Sequence, residues 1–398
     1  MYECIKKLGE IASAKGGSGF PKKYQGKKEG QYPFFKVSDM NLAGNEIYMN
    51  HAANYVDDAD LAAMKAKFHP AGTIVFPKIG GAISTNKKRL LTCDAIFDNN
   101  VMGVVPNTGV SSEYIYKFFV SLDLYDLSNK AALPSITAGS VSELEIPLPP
   151  IPEQQRIVAI LDQAFADIEK ARANAEKNLK NARELFDSYL NQVFSQRGEG
   201  WVEKSLGETC IFQGGSQPPK SEFSIDQKPG YIRLIQIRDY KSDKRAVYIP
   251  RVKSKRYCLA DDVMIGRYGP PLFQILRGIE GSYNVALIKV SPKDGLITKD
   301  YLYYFLRNRD ILKYIIDSSS RAAGQIGLNK KTIEPYPIGF PPIEEQIKIC
   351  AQLKDLAIKT THLESISKEK LNSLDELKKS LLQKAFSGEL TKTEGQAA

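Results

Sequence analysis

The feature that most constrains this chain is a repeat at constant spacing. Residues 149–195 align without a gap on 341–387 at a shift of 192, so that PPIPEQQRIVAIL faces PPIEEQIKICAQL and ELFDSYLNQVFS faces ELKKSLLQKAFS. In both copies the prolines hold the approach extended, because a residue before proline is pushed out of the helical region. Pro152 suits a first helical position, and Glu153 in one copy, Glu344 and Glu345 in the other, suit the positive end of a helix. No proline or glycine then intrudes until Gly198 and Gly388, which read as stops. Each copy predicts one helix of about forty residues, roughly 60 Å at ~1.5 Å per residue.

A helix far above the usual ~11–12 residues needs a partner. Ile157, Leu161, Ala164, Ile168, Ala171, Ala175, Leu179, Ala182, Leu185, Tyr189 and Val193 supply an apolar face on the first. Leu353, Leu356, Leu363, Ile366, Leu374, Leu377, Leu381 and Ala385 do so on the second, which reads as a coiled-coil seam.

The segments before the helices echo one another as well. KKLGEIASAKGGSGFPK (6–22) faces KSLGETCIFQGGSQPPK (204–220), KVSDM (36–40) faces QIRDY, AGTIVFPKIGG (71–81) faces ADDVMIGRYGP, and EYIYKFF (113–119) faces DYLYYFL (300–306). Strand-like runs (TIVFPKI, YIRLIQIRDY, NVALIKVSP) alternate with short amphipathic helices, so each globe is α/β or α+β. The order is globe 1–148, helix 149–199, globe 200–340, helix 341–390 and tail 391–398. A pseudo-twofold relating the units would run the two coiled-coil helices antiparallel and hold the globes apart.

Charge and composition narrow the function. The net charge of +9 sits almost wholly in 200–338, with 23 basic against 14 acidic residues, which points to an anionic partner. Five scattered cysteines without a CxxC pair fit reduced thiols in a cytoplasm and argue against a disulfide framework or zinc site. His51, His69 and His362 have no ligand spacing and read as surface or loop residues; no metal site is expected. Neither a membrane-length apolar run nor a signal peptide is present. There is no Walker A motif and no NPPY or DPPY phrase. DELK at 375–378 reads as a solvated helix face, and Gly16-Gly17-Ser18-Gly19 as a tight turn and not a phosphate loop.

The doubled PPIPEQQ and PPIEEQI helix starts, the VFSQ and AFSGEL helix ends, and the LGE…GGS…P openings resemble the specificity subunit of type I restriction-modification systems over nearly the whole chain. The resemblance implies two target recognition domains, each reading half of a split double-stranded DNA site, with the paired helices setting the gap. It implies docking of two methyltransferase subunits and of motor-nuclease subunits. S-adenosylmethionine, ATP and magnesium would sit on those partners, and this chain would hold no cofactor and do no chemistry.

Within that reading, the base- and phosphate-contacting candidates are cationic and amide side chains. Globe two offers Arg245, Arg251, Lys253, Lys255 and Arg256 in the run 241–257, then Arg267 and Tyr268. Globe one offers Lys78, Asn86, Lys87, Lys88 and Arg89; Lys22 and Lys220 lie in the shared openings. Glu153, Gln154, Glu345 and Gln346 are candidates for partner docking, with helix capping as their plainer role. Two other classes remain open: a coiled-coil scaffold spacing two protein-binding modules, and a globe with a catalytic constellation not visible in the sequence.

Overall fold

The computed structural model describes residues 4–196, 198–269, 271–293, 295–320 and 328–391, without the side chains of 319 and 320. The expected tail thus lies almost entirely outside the described residues. The chain divides into two compact units: residues up to Asn174 together with those from Glu369 on, and Ala175–Lys368. The borders drawn from sequence followed the helix ends, whereas the packing border passes through the middle of both long helices.

The first unit runs β1 (Ile5–Lys7), α1 (Leu8–Ile11), β2 (Ala12–Gly16), β3 (Tyr32–Phe35), β4 (Tyr48–Met49), β5 (Tyr55–Val56), α2 (Asp58–Met64) and β6 (Ile74–Pro77). It continues with β7 (Arg89–Leu91), β8 (Ile96–Phe97), β9 (Val101–Pro106), α3 (Ser112–Ser121), α4 (Ala138–Ser142), β10 (Glu145–Pro147) and the start of α5 (Ile151–Ser195). Its sheets are ordered β2-β9-β6-β7-β4, β5-β3-β8 and β1-β10.

The second unit has β11 (Val202–Ser205), α6 (Leu206–Thr209), β12 (Cys210–Gly214), β13 (Tyr231–Ile235), β14 (Tyr248–Pro250), β15 (Tyr257–Cys258), β16 (Val263–Gly266) and β17 (Gln274–Leu276). Then come β18 (Gly281–Tyr283), β19 (Leu287–Pro292), α7 (Lys299–Leu306), α8 (Arg309–Ser320), α9 (Lys330–Ile333), β20 (Pro337–Phe340) and α10 (Ile343–Ser387). Its sheets are β12-β19-β16-β17, β14-β13-β18-β15 and β11-β20.

The mixed α/β reading holds, and the repeat is built into the pairing. Antiparallel β1–β10 matches β11–β20, and parallel β3–β8 matches β13–β18. The GGS turns explain themselves through close approach. A Cβ on Gly17 would lie 2.1 Å from the Asp98 carbonyl oxygen, and one on Gly215 1.9 Å from that of Asn284. Only glycine lets these turns seat against the neighbouring strand, where Ser18 N donates to Phe97 O and Ser216 N to Tyr283 O.

Both long helices span 45 residues, so each extends roughly 68 Å at ~1.5 Å per residue. Pro152 falls on the second helical residue, still in the first turn, where a missing N–H costs nothing. Gly388 adopts φ +80° and lets Glu389 N and Leu390 N close on Lys384 O, the stop expected of it. Gly198 lies beyond the end of α5 and is shaped instead by Trp201, whose ring would meet an added Cβ at 2.9 Å.

Within each unit the helical halves run antiparallel. In the first, Glu169 pairs with Lys378 (3.3 Å) and Arg172 with Asp375. In the second, Arg183 pairs with Glu364 (3.1 Å) and Tyr189 Oη bonds Gln352 (3.1 Å). The DELK stretch is thus an ion-pairing face.

The seam itself differs from the expected one. Leu185, Leu363, Ile366 and Leu377 are exposed. The α10 seam passes through Cys350, Leu353, Thr360, Ser367, Leu382 and Ala385, all buried. Thr360 and Ser367 are tolerated because each hydroxyl donates back to a carbonyl of its own helix, Leu356 O and Leu363 O. On α5 the seam turns from Ala182 to Phe186, Leu190 and Phe194, which pack with Tyr301 and Phe305 of α7 in one core. The matching core of the first unit joins Leu382, Ala385 and Phe386 of α10 to Tyr114, Phe118 and Phe119 of α3.

His69 corrects another expectation. It is buried, with its ring stacked on Phe97 at 4.0 Å between centroids. His51 and His362 are exposed. Among the described residues no helix is long and apolar enough to cross a membrane.

Candidate nucleic-acid interface

The basic run of globe two folds into the rim of a sheet. Residues 241–257 form a 3-10 turn (Asp243–Arg245), edge strand β14, a second 3-10 turn (Arg251–Lys253) and the opposite edge strand β15. Edge placement leaves Arg245, Arg251, Lys253, Lys255 and Arg256 exposed. Lys253 pairs with Glu222 at 3.2 Å, which brings the opening turn Lys220–Glu222 beside this rim. Arg238 donates to Arg245 O at 3.2 Å and adds a cation that the sequence reading passed over. Tyr268 is exposed, with the Arg267 guanidinium 5.3 Å from its ring centroid.

Globe one keeps fewer of its candidates. Lys22 is exposed and Lys78 half-buried. Asn86 turns through φ +54°, and its side-chain oxygen accepts from Leu124 N and Lys88 Nζ. Lys87 bonds Asn41. Lys88 is a correction: it is 4% exposed, and its ammonium donates to Leu122 O at 2.7 Å, closing the end of α3. Burial pushes its pKa down to about 8. Arg89 is likewise committed inward, donating to Lys88 O (2.7 Å) and Met40 O (3.2 Å). The missed residues lie beside Lys22: Lys23, Lys27 and Lys28 are exposed as it is. Four lysines in seven residues were the available signal, although Lys27 is held by Asp57 and Asp60.

Lys78 and Arg267 occupy one position in the two globes. Lys78 N donates to Asn100 O and its carbonyl accepts from Ile136 N, while Arg267 N donates to Ala286 O and its carbonyl accepts from Leu328 N. The Arg267 side chain donates to Leu328 O (3.2 Å) and Val285 O (3.3 Å).

The glutamines of the helix starts also correct the sequence reading. Gln154 and Gln346 are 2% and 0% exposed. Gln154 donates to Pro149 O and accepts from Ser111 N; Gln346 donates to Pro341 O and Leu296 O and accepts from Thr298 N. Ser111 and Thr298 are the N-caps of α3 and α7, so each glutamine fastens a long helix to the helix packed on it. That commitment leaves no surface for a partner. Glu153 is half-buried and Glu345 exposed.

The buried thiols of Cys210 and Cys258 are pushed up to about 11 and that of Cys350 to about 12 by burial, so each stays protonated and unreactive. Among the described residues no group of three or more His, Cys, Asp or Glu is placed to hold a metal ion.

The family model described as "Type I restriction modification DNA specificity domain" matches this chain twice, at residues 3–177 and 198–373. The type I restriction enzyme MjaIX specificity subunit of Methanocaldococcus jannaschii is 28% identical over 252 residues, 58% of this chain and 56% of that protein. The StySPI specificity subunit of Salmonella potsdam is 23% identical over 314 residues, 72% of this chain and 67% of that protein. The chain thus spans just over half the length of the first of these relatives. A chain solved for the complex assembly and conformational transition of the type I R-M system superposes with TM-score 0.76 at 20% identity, covering 97% of this chain and 98% of that one. The HsdS subunit from Thermoanaerobacter tengcongensis superposes with TM-score 0.60 at 21% identity, covering 97% of each. These two likenesses show the fold.

Proposed function

Since this chain belongs to the type I restriction modification DNA specificity family, we propose that it is the non-catalytic, sequence-reading subunit of a type I restriction-modification complex. Each globe reads one half of a bipartite double-stranded DNA target, and the long helices set the gap between the halves. Two methyltransferase subunits and the motor-nuclease subunits dock on it in the cytoplasm. S-adenosylmethionine, ATP and magnesium belong to those partners, which carry out adenine methylation and cleavage.

The observation that carries this reading is the doubled module: two matches of one specificity-domain family, one on each globe. The exposed cationic rim of globe two supports it, since phosphate contacts supply most affinity for duplex DNA. With Gln154 and Gln346 turned inward, the candidates for partner docking reduce to Glu153 and Glu345. Lys22, Lys78, Lys87, Lys220, Arg245, Arg251, Lys253, Lys255, Arg256, Arg267 and Tyr268 remain the DNA-facing set.

The test is co-expression with the methyltransferase subunit in an unmethylated host, followed by mapping of modified bases. A split motif with modified adenine in both halves is expected. An assembled, folded complex that modifies nothing, or that modifies an undivided site, would overturn the reading.

A further inference from the structure

Globe two contains a cleft of about 540 Å³ that no stretch of sequence announces. Gln213 and Gly214 of β12 form its floor, and Arg256, Arg267, Asn329 and Lys330 stand around it. Among its described lining residues three side chains are cationic and none is a carboxylate. The floor is open: a Cβ built on Gly214 meets nothing within 4 Å.

Arg267 is the fixed member. Its Nε donates to Leu328 O and its Nη1 to Val285 O, while its main chain is held on both sides by Ala286 and Leu328. Arg256 is exposed, and Lys330 pairs with Glu334 at a long 3.9 Å. A guanine edge is read by two parallel donors of one guanidinium. Of the five N–H donors of Arg267, these two carbonyls take one on Nε and one on Nη1, which pins its plane. A phosphate group has no such requirement, because single donors from separate cations can share its oxygens.

The matching position of globe one is arranged differently. Lys78, at the position of Arg267, lies with Nζ 2.8 Å from where a Cβ on Gly16 would stand, and Gly16 is the counterpart of Gly214. At the same point on Gly214 nothing lies within 4 Å, so the close approach of cation to glycine belongs to globe one and the cleft to globe two.

From three cations without a carboxylate around a glycine floor, one of them pinned by main-chain carbonyls, we infer that this cleft grips a phosphodiester of double-stranded DNA. It contributes affinity and register, and it leaves base identity to the rest of the rim, since Arg256 belongs to both. The inference rests on the DNA-recognition reading above.

The test uses the full chain co-purified with its methyltransferase, and two fluorescent duplexes: the target recovered by modification mapping, and a scrambled sequence. Binding is followed by anisotropy between about 50 and 200 mM salt. R256Q and K330Q, which alter exposed side chains, are each expected to weaken both duplexes equally, by roughly threefold to tenfold, and to flatten the salt slope by about 0.9. R267Q should do the same but also frees Leu328 and Val285, so the two surface variants decide. An unchanged slope, or a loss confined to the target with an altered base preference, would overturn the phosphate assignment. A wild-type complex that binds neither duplex would instead overturn DNA recognition itself, and the cleft with it.

Discussion

Buried His69 makes the first globe sensitive to acid by an amount that can be worked out. The residue is 3% exposed, its ring lies against Phe97, and its buried Nδ1 has no hydrogen-bond partner among the described residues. Burial, and then the charge of Lys15, push its pKa from 6.5 down to about 4. Between those values the unfolded chain binds a proton that the folded chain refuses. The stabilisation is therefore complete above pH ~6.5 and is lost as pH falls toward ~4. Linkage over that shift gives a loss of about 2 kcal/mol between pH 7 and pH 5, or roughly twentyfold more opening. Asp39, in the same globe, has its carboxyl raised by burial and acts with the opposite sign, so the comparison must be made against H69F. Hydrogen exchange read by mass spectrometry, corrected for intrinsic rates, should show that loss of protection in Ile74–Pro77 and Ile96–Phe97 of the wild type and little in H69F. Trp201 belongs to the other unit, and its fluorescence serves as the control. Equal pH dependence in the two proteins would refute the reasoning.

Other perturbations separate the roles assigned above. Q346A strands Thr298 N and Leu296 O in a buried site and should cost the second unit about 2–3 kcal/mol in a urea melt followed by Trp201. L353A should cost about 2–5 kcal/mol, whereas exposed L363A should stay within about 0.5 kcal/mol; equal melts would remove the seam drawn here. G215A drives a Cβ into the Asn284 carbonyl and should yield a chain that fails to fold, checked by soluble yield and circular dichroism. Inserting four residues in each long helix adds ~6 Å and should widen the gap in the modified motif by one or two base pairs at ~3.4 Å each; an unchanged gap would end the ruler reading.

The repeat was legible because a gap-free alignment survives any amount of divergence between its fixed points. The long helices followed from proline and glycine placement alone. The seam was less legible, since apolar residues were assumed to mark it. Thr360 and Ser367 hold seam positions by bonding their own helix, and Leu363 and Ile366 stand beside them facing out. Lys88 and Lys22 are indistinguishable as letters; only the fold shows that one closes α3 and the other meets solvent. The glutamines of PPIPEQQ and PPIEEQI were noticed for the right reason, their repetition, but the partner each serves is a helix cap within its own globe. The cleft around Arg267 escaped because its cations come from stretches far apart in sequence: Arg256 just before β15, Arg267 just after β16 and Lys330 at the start of α9.

The last turns of α10 fill the core of the globe in which the chain begins, with Leu382, Ala385 and Phe386 set against Tyr114 and Phe118. On a ribosome this reverses the usual schedule, in which domains close in the order they are made. Residues 175–368 form a continuous unit and can finish while synthesis proceeds. The first globe has to wait, its aromatic face uncovered, until the stretch of α10 from Glu369 onward has left the tunnel. A premature stop in α10 would therefore injure the oldest part of the molecule.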